Sequence, residues 1–296
     1  MADEDDGPAQ SPEWATERPP GEVLAVAGNE TRLSIIRALF EADGQHLRYA
    51  ELMDAVEMDD SGQFNYHLSQ LVGPFVQQTD DGYHLRHAGG QVIGAVMAGT
   101  YSDERSLGPV EVATPCPTCD GSLLASYDGD VARIECDDCG TVVTHHSVPP
   151  GIFEGYQPTD LPAVLGRWVR HEFARTLDGF CPVCTGRTDG SLGTPEHSAQ
   201  NRVGIELVCR RCGMRFTGAV GSAVLDHPVV ACFYHDHGID FRTIPIWELD
   251  WLHDDSADLV GGDPPEAELT IELDDERLVM TLDDDLAVVA TERQPT

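Results

Sequence analysis

Lysine is missing altogether from this 296-residue chain: all 18 basic residues are arginine, set against 52 acidic ones for a formal net charge of −34. Such an imbalance excludes the usual electrostatic route to nucleic acid or an anionic membrane, in which a basic surface displaces counterions. It does not signal disorder, because 41% of the residues are hydrophobic, enough for a folding protein. A solvated acidic shell with arginine in place of lysine fits work in concentrated salt, where self-repulsion is screened within about 3 Å at 1 M. A halophilic cytoplasm is the expected setting.

Long apolar runs are missing too. None approaches the roughly 20 residues needed to cross a bilayer, so no membrane partner is expected. The opening Met1-Ala2-Asp3-Glu4-Asp5-Asp6 has neither the positive region nor the apolar stretch of a signal peptide. A reducing, cytoplasmic compartment favours thiolate–metal bonds over disulfides. There is no G-x-S-x-G, no P-loop, no dinucleotide fingerprint and no open three-ligand metal motif. The chain is therefore not expected to be an enzyme.

Paired cysteine is what the chain does have. Eight of nine cysteines form four Cys-x-x-Cys pairs: Cys116 and Cys119 with Cys136 and Cys139, then Cys181 and Cys184 with Cys209 and Cys212. Two such pairs complete a tetrahedral site, and four thiolates leave the ion no open position. Two structural zinc ions are the expected cofactors, with disulfides or an iron site as the alternatives. The two halves share a layout and read as an imperfect internal repeat, with a glycine after each pair to permit positive φ. The ninth cysteine, Cys232, lies in an apolar run and is expected to be buried. His145-His146 and His235-Asp236-His237 offer further ligands, without a third in the nearby sequence.

Residues 1–21, Pro-rich and acidic, read as a disordered lead-in. From residue 22 to about 104, helical periodicity precedes one hairpin signal. Asn29 is a cap for a helix with Leu33, Ile36, Leu39 and Phe40 on one face. A short helix follows with Leu52, Ala55 and Val56 inward, and then a third, opened by Asp59-Asp60-Ser61, with Phe64, Leu68 and Leu71 inward. Asp80-Asp81-Gly82 is a hairpin turn, and a last helix is expected over residues 90–100 with Val92, Val96 and Met97 apolar. Three helices and a hairpin in this order make a winged helix-turn-helix.

Two segments carry a family resemblance. Gly28-Asn29-Glu30-Thr31-Arg32-Leu33-Ser34-Ile35-Ile36-Arg37-Ala38-Leu39 resembles the first helix of archaeal ArsR-type transcriptional regulators, and Ser61-Gly62-Gln63-Phe64-Asn65-Tyr66-His67-Leu68-Ser69-Gln70-Leu71 resembles their recognition helix. A winged helix followed by cysteine ribbons is similar to haloarchaeal regulators of this group. The resemblance covers about residues 22 to 100. Beyond that it is looser, resting on the cysteine pairs and the segment 227–249. It implies a DNA-binding regulator without catalysis, bound to double-stranded DNA as a homodimer. Arsenite- and cadmium-sensing members carry cysteine pairs in the winged helix, and this chain has none there. The expected DNA contacts are Gln63, Asn65, Tyr66, His67, Ser69 and Gln70, whose side chains suit base edges in a major groove, with Arg48 and Arg86. Only four arginines stand against eleven acidic residues between Glu22 and Thr100. In molar salt, however, counterion release drives binding weakly, and affinity rests on hydrogen bonds and shape.

The expected architecture is thus α+β: the winged helix-turn-helix (22–104), a four-cysteine zinc ribbon (105–150), a bracing helix (151–179) with Leu165, Trp168, Val169 and Phe173 inward, and a second ribbon (180–220). A helix and extended segment (221–262) and a small antiparallel β meander (263–296) follow, with Gly261 to Pro265 as linker. Arg210, Arg211 and Arg215 form the strongest local basic patch. The competing reading is a zinc-ribbon scaffold that docks a protein of the transcription machinery.

Overall fold

Side-chain spacing and capping decide where the helices of the first hundred residues begin and end. The computed structural model describes residues 18–193, 203–252 and 256–296, and it divides after Ser102 into two units, each with its own core. Most of the expected lead-in, residues 1–17, lies outside the described residues. The helix α1 (Pro20–Ala27) already opens at its end, with proline at N1 where no amide hydrogen is needed. In α2 (Glu30–Glu41) the Asn29 side chain accepts from the Arg32 amide, as its cap position requires, and Ile35, Ile36 and Leu39 are buried. A two-residue strand β1 (His46–Leu47) precedes α3 (Tyr49–Ala55). Leu52 is buried there, but Ala55 is exposed. Asp60 caps α4 (Ser61–Leu71) by accepting from the amides of Gly62 and Gln63, and Phe64, Leu68 and Leu71 are fully buried.

The hairpin of β2 (Val76–Thr79) and β3 (Gly82–Leu85) turns at Asp80-Asp81, and β1 adds to it in the order β1-β3-β2. The last helix, α5 (His87–Met97), starts three residues before its expected position. This phase buries Ile93, leaves Val92 and Val96 half-buried and exposes Met97.

The second unit contains three antiparallel sheets around one core. The first sheet has four strands in sequence order: β4 (Arg105–Pro115), β5 (Ser122–Gly129), β6 (Val131–Cys136) and β7 (Val142–Ser147). The second, ordered β10-β9-β8, comprises β8 (Thr188–Gly193), β9 (Gly204–Cys209) and β10 (Arg215–Ala219). Helix α6 (Leu161–Leu177) buries Leu165, Val169 and Phe173 and packs on β4 and β5 of one sheet and β8 of the other. Burial of Leu123 and Ile134, Ile205 and Leu207, and Ile271 and Leu278 in one cluster joins all three sheets. The segments expected to be separate domains from residue 105 onward therefore share a single interior.

Two further expectations change. Helix α7 (Pro228–Asp236) forms, but the stretch expected to be extended, Phe241 to Trp251, is a series of 3-10 turns. They tuck Phe241, Trp247 and Trp251 into the core, and the Trp251 indole donates to the Tyr234 hydroxyl at 2.8 Å. Arg170 of α6 lies over the Phe241 ring at 4.4 Å and donates to the carbonyls of Phe241 and Ile244. The expected linker is a hairpin turn instead. It joins β11 (Ala257–Gly261) to β12 (Pro265–Leu273), which continues into β13 (Glu276–Leu282) and β14 (Val288–Pro295) as a four-stranded meander. Alternation holds within it: Leu269, Ile271, Leu278, Met280 and Leu282 are all fully buried.

Candidate metal centres and nucleic-acid interface

Each cysteine cluster is held by backbone hydrogen bonds before any ion is considered. At the first, the Cys116 amide donates to the Gly121 carbonyl (2.8 Å) and the Asp120 amide to that of Cys116 (3.0 Å). At the second, Cys181 donates to Gly186 (2.9 Å) and Thr185 to Cys181 (2.9 Å). The partner turns match as well: Cys136 to Thr141 and Gly140 to Cys136 in one, Cys209 to Met214 and Gly213 to Cys209 in the other. The four residues in positive φ are Asp120, Gly140, Thr185 and Gly213. The glycine expected there is thus found in only two of the four turns. In the other two it sits one residue later, where a Cβ on Gly121 would clash with Asp138 Oδ2 and one on Gly186 would meet Arg211 Cβ at 2.7 Å.

These turns bring each set of four sulfurs together, all within 4.8 Å of one another. Cys116 and Cys139 are 3.7 Å apart and Cys119 and Cys136 3.6 Å; Cys181 and Cys212 are 3.7 Å apart and Cys184 and Cys209 3.4 Å. A tetrahedron of about 2.3 Å metal–sulfur bonds has edges of about 3.8 Å, so each quartet can hold one metal ion. Amides of Thr118 and Arg211 point at the sulfurs of Cys116 and Cys209, both at 3.4 Å.

Crowded sulfurs share negative charge unevenly. The Thr141 hydroxyl and amide hold the Cys139 thiol down to about 6. For Cys119 the Gly121 amide favours the thiolate, but the neighbouring sulfurs of Cys139 and Cys136 outweigh it and push the thiol up to about 12. In the second quartet the amides of Cys212 and Arg211 bring Cys209 to about 6, while Cys212 rises to about 12 beside Cys184, against the pull of the Met214 amide. A divalent cation is what allows four such thiols to ionise together.

Cys232 is exposed, not buried, because the phase of α7 commits Val230, Phe233 and Tyr234 to the interior. The expected basic patch is largely internally paired: Arg210 with Asp189, and Arg215 with Glu206 at 2.6 Å. Among the described residues, neither His145-His146 nor His235-His237 joins a three-ligand group. His146 is half-buried on β7, and burial, with the neighbouring His145, pushes its pKa down to about 4.

On α4 the polar side chains divide by exposure. Gln63, Asn65, Tyr66, Ser69 and Gln70 are exposed, Tyr66 at 59%. His67 is not on that open face. It lies at the flank, half-buried, with a buried Nδ1 that has no hydrogen-bond partner among the described residues. The Ser69 hydroxyl donates to the Tyr66 carbonyl at 2.8 Å within the helix. Arg48 is exposed before α3, and Arg86, also exposed, donates to the Gly73 carbonyl at the end of α4. Sequence spacing gives no hint of one further group: His46, Asp81 and His84, gathered across the hairpin. Asp81 is held down to about 2, first by the Thr79 hydroxyl and then by His84.

Fold and sites together define an α+β protein with a helical, hairpin-bearing N-terminal unit and two four-cysteine clusters in a second unit. Residues 113–288, more than half of the chain, match the family model described as domain of unknown function DUF7351, and the chain belongs to that family. Residues 20–96 match a second model, described as domain of unknown function DUF7347, which falls within the N-terminal unit and begins where α1 does. No curated protein and no solved structure matches the chain. Among the described residues, no helix is long and apolar enough to cross a membrane.

Proposed function

We propose that this chain is a sequence-specific DNA-binding transcriptional regulator of a halophilic archaeon, whose N-terminal unit is an ArsR-like winged helix-turn-helix. One observation carries the reading. α3 and α4 are joined by a five-residue turn, and α4 leaves Asn65, Tyr66, Gln63 and Gln70 in solvent while its apolar side is buried. Amide, phenol and carboxamide groups on an exposed helix are what base edges in a major groove require, and the β2–β3 hairpin supplies the wing. The regulator acts as a homodimer on half-sites about one helical turn apart. The metal of both quartets is zinc, which four thiolates bind in a closed, structural site.

The test is operator binding in multimolar KCl. Replacing Asn65 and Tyr66 together by alanine abolishes specific binding and leaves the helical content unchanged. Unaltered affinity of that double variant removes the recognition-helix assignment.

A second reading has its own observation. Phe180 and Val183 beside the second quartet are 58% and 64% exposed, and Met214 is exposed as well. Apolar side chains at the tip of a rigid metal site suit docking of a protein of the transcription machinery. Chromatin mapping separates the two: discrete bound sites support the regulator, and their absence supports the scaffold.

A further inference from the structure

The hairpin of the N-terminal unit assembles a ligand set of a different kind from the cysteine quartets. Strand β1 pairs with β3 so that His46 stands directly opposite His84. Their rings stack, with centroids 4.3 Å apart and planes 29° from parallel. Asp81 reaches the same pair from the β2–β3 turn: one carboxylate oxygen is 3.3 Å from His84 Nε2 and the other 3.9 Å from His46 Nε2. All three ligand atoms lie within 4.8 Å of one another.

Surrounding residues keep the group together. The Thr79 hydroxyl donates to the Asp81 carboxylate and lies 3.2 Å from the Gly82 carbonyl. His46 Nε2 donates to the Asp81 carbonyl oxygen at 3.0 Å, a hydrogen bond that an ion bound at that nitrogen would replace. Gly82 has φ +147°, and a Cβ there would come within 2.6 Å of both His46 Nε2 and the Leu47 carbonyl. Only glycine lets the His46 ring lie over the turn. A turn, a cross-strand register and a residue choice thus converge on one point.

We propose that His46, Asp81 and His84 bind one divalent first-row transition-metal ion. Two imidazoles and a carboxylate suit zinc, nickel, cobalt or copper, and three protein ligands leave coordination positions open. The histidine side chains are 28% and 35% exposed, so small ring rotations can aim both lone pairs at one ion. The ion would exchange with solvent more readily than one enclosed by four thiolates. It would also place two positive charges in a segment that otherwise sets four arginines against eleven acidic residues between Glu22 and Thr100. The site stands on ligand geometry alone, whether or not the unit binds DNA.

The full-length protein, its two cysteine clusters first filled with zinc, is titrated with Ni²⁺ in a non-chelating buffer by calorimetry. One further equivalent binds, and the ring signals of His46 and His84 shift or broaden in the NMR spectrum. His84→Ala weakens this binding by at least about tenfold, the scale set by loss of even indirect metal-site partners. Asp81→Asn, which keeps a hydrogen-bonding group beside Thr79 and His84, weakens it as well and guards against a folding defect in the first variant. The proposal is overturned if the wild type takes up no Ni²⁺ beyond its zinc. It is also overturned if the variants bind as tightly as the wild type, which places the ion at other histidines. Neither result bears on operator recognition, which this titration does not read.

Discussion

The turns around Cys116 and around Cys181 have matching backbone hydrogen bonds and contrasting charge. Asp120, Asp137 and Asp138 occupy the first cluster where Thr185, Arg210 and Arg211 occupy the second. Even the strand pairing repeats: Pro115 pairs with Ser122 as Phe180 bridges to Arg187. What holds four sulfurs at tetrahedral spacing is therefore the main chain, and the side chains between the cysteines are left to other uses. The clusters also differ in depth. Cys116 and Cys136 pack into the large core, whereas Cys181 and Cys209, though buried, stand outside it.

That difference in depth sets the largest expected effect. A four-thiolate site contributes on the order of 10 kcal/mol in small peptides, comparable with the whole stability of a domain. Cys136→Ser should lower the bound metal from two ions to one and disorder the shared core, collapsing the near-UV circular dichroism of the unit. Cys209→Ser should lose one ion equally but keep most of that signal, because its sulfur does not touch the main interior. Equal spectral losses from both variants would erase the distinction between a core-linked and a peripheral cluster.

Smaller effects come from the glycines that let the turns of each cluster approach. A Cβ on Gly186 meets Arg211 Cβ at 2.7 Å and Cys184 Sγ at 3.2 Å, neither of which can move without disturbing the quartet. Gly186→Ala should cost up to about 3 kcal/mol, the usual range for overpacking, and slow metal uptake. At Gly121 the closest atom is the end of the Asp138 side chain, which can swing into water. Gly121→Ala should therefore cost less, and urea melts of the two variants rank them.

How much of this was legible follows from which forces are local. Cysteine spacing, the Asn29 cap, the Asp59-Asp60-Ser61 helix start, the Asp-Asp-Gly turn and the near-helical apolar spacing of the 17-residue α6 act over a few residues, and the structure has each where the sequence puts it. Partnerships between distant segments could not be read. An apolar stripe says that a face is buried, not against what, so segments that share one interior read as separate domains. Gly261-Gly262-Asp263-Pro264 punctuates the chain whether it joins two domains or two strands, so it does not show that β11 precedes it. The segment from Phe241 to Trp251 reads as extended, but its short turns bring Phe241, Trp247 and Trp251 into the core, a partnership that local sequence does not show. His46, Asp81 and His84 meet only through the register of a two-residue strand, for which no periodic signal exists.

The first sheet also has a titrating group that the second lacks. His146 pairs with Ala132 on β6, and the matching position opposite Ile205 in the second sheet is Gly218. Burial holds His146 near a pKa of about 4, below the usual 6.5, so the folded form stays neutral while the unfolded chain takes up a proton. Its folded pKa is depressed, and the resulting stability is complete above the unfolded value and lost as pH falls from about 6.5 toward 4. Near pH 5 the loss is about 2 kcal/mol. Subtracting the melt of His146→Gln from that of the wild type cancels cysteine protonation, which both proteins share. A difference that stays flat from pH 7 to about 5 would show that the imidazole is solvated and that the two sheets titrate alike.

The arginines of the second cluster should matter least for stability. Arg210 and Arg187 both pair with Asp189, the latter at 3.3 Å, and Arg215 with Glu206, all at the surface. Exposed pairs of this kind are worth about 0–1 kcal/mol, and molar salt screens them within about 3 Å. Asp189→Asn should shift stability by less than about 0.5 kcal/mol in molar KCl and by somewhat more in dilute buffer, where the ion pairs are less screened. A large loss in high salt would mean that the ion pairs brace the second cluster directly. The charge contrast between the two clusters would then belong to folding, and could not be assigned to a partner.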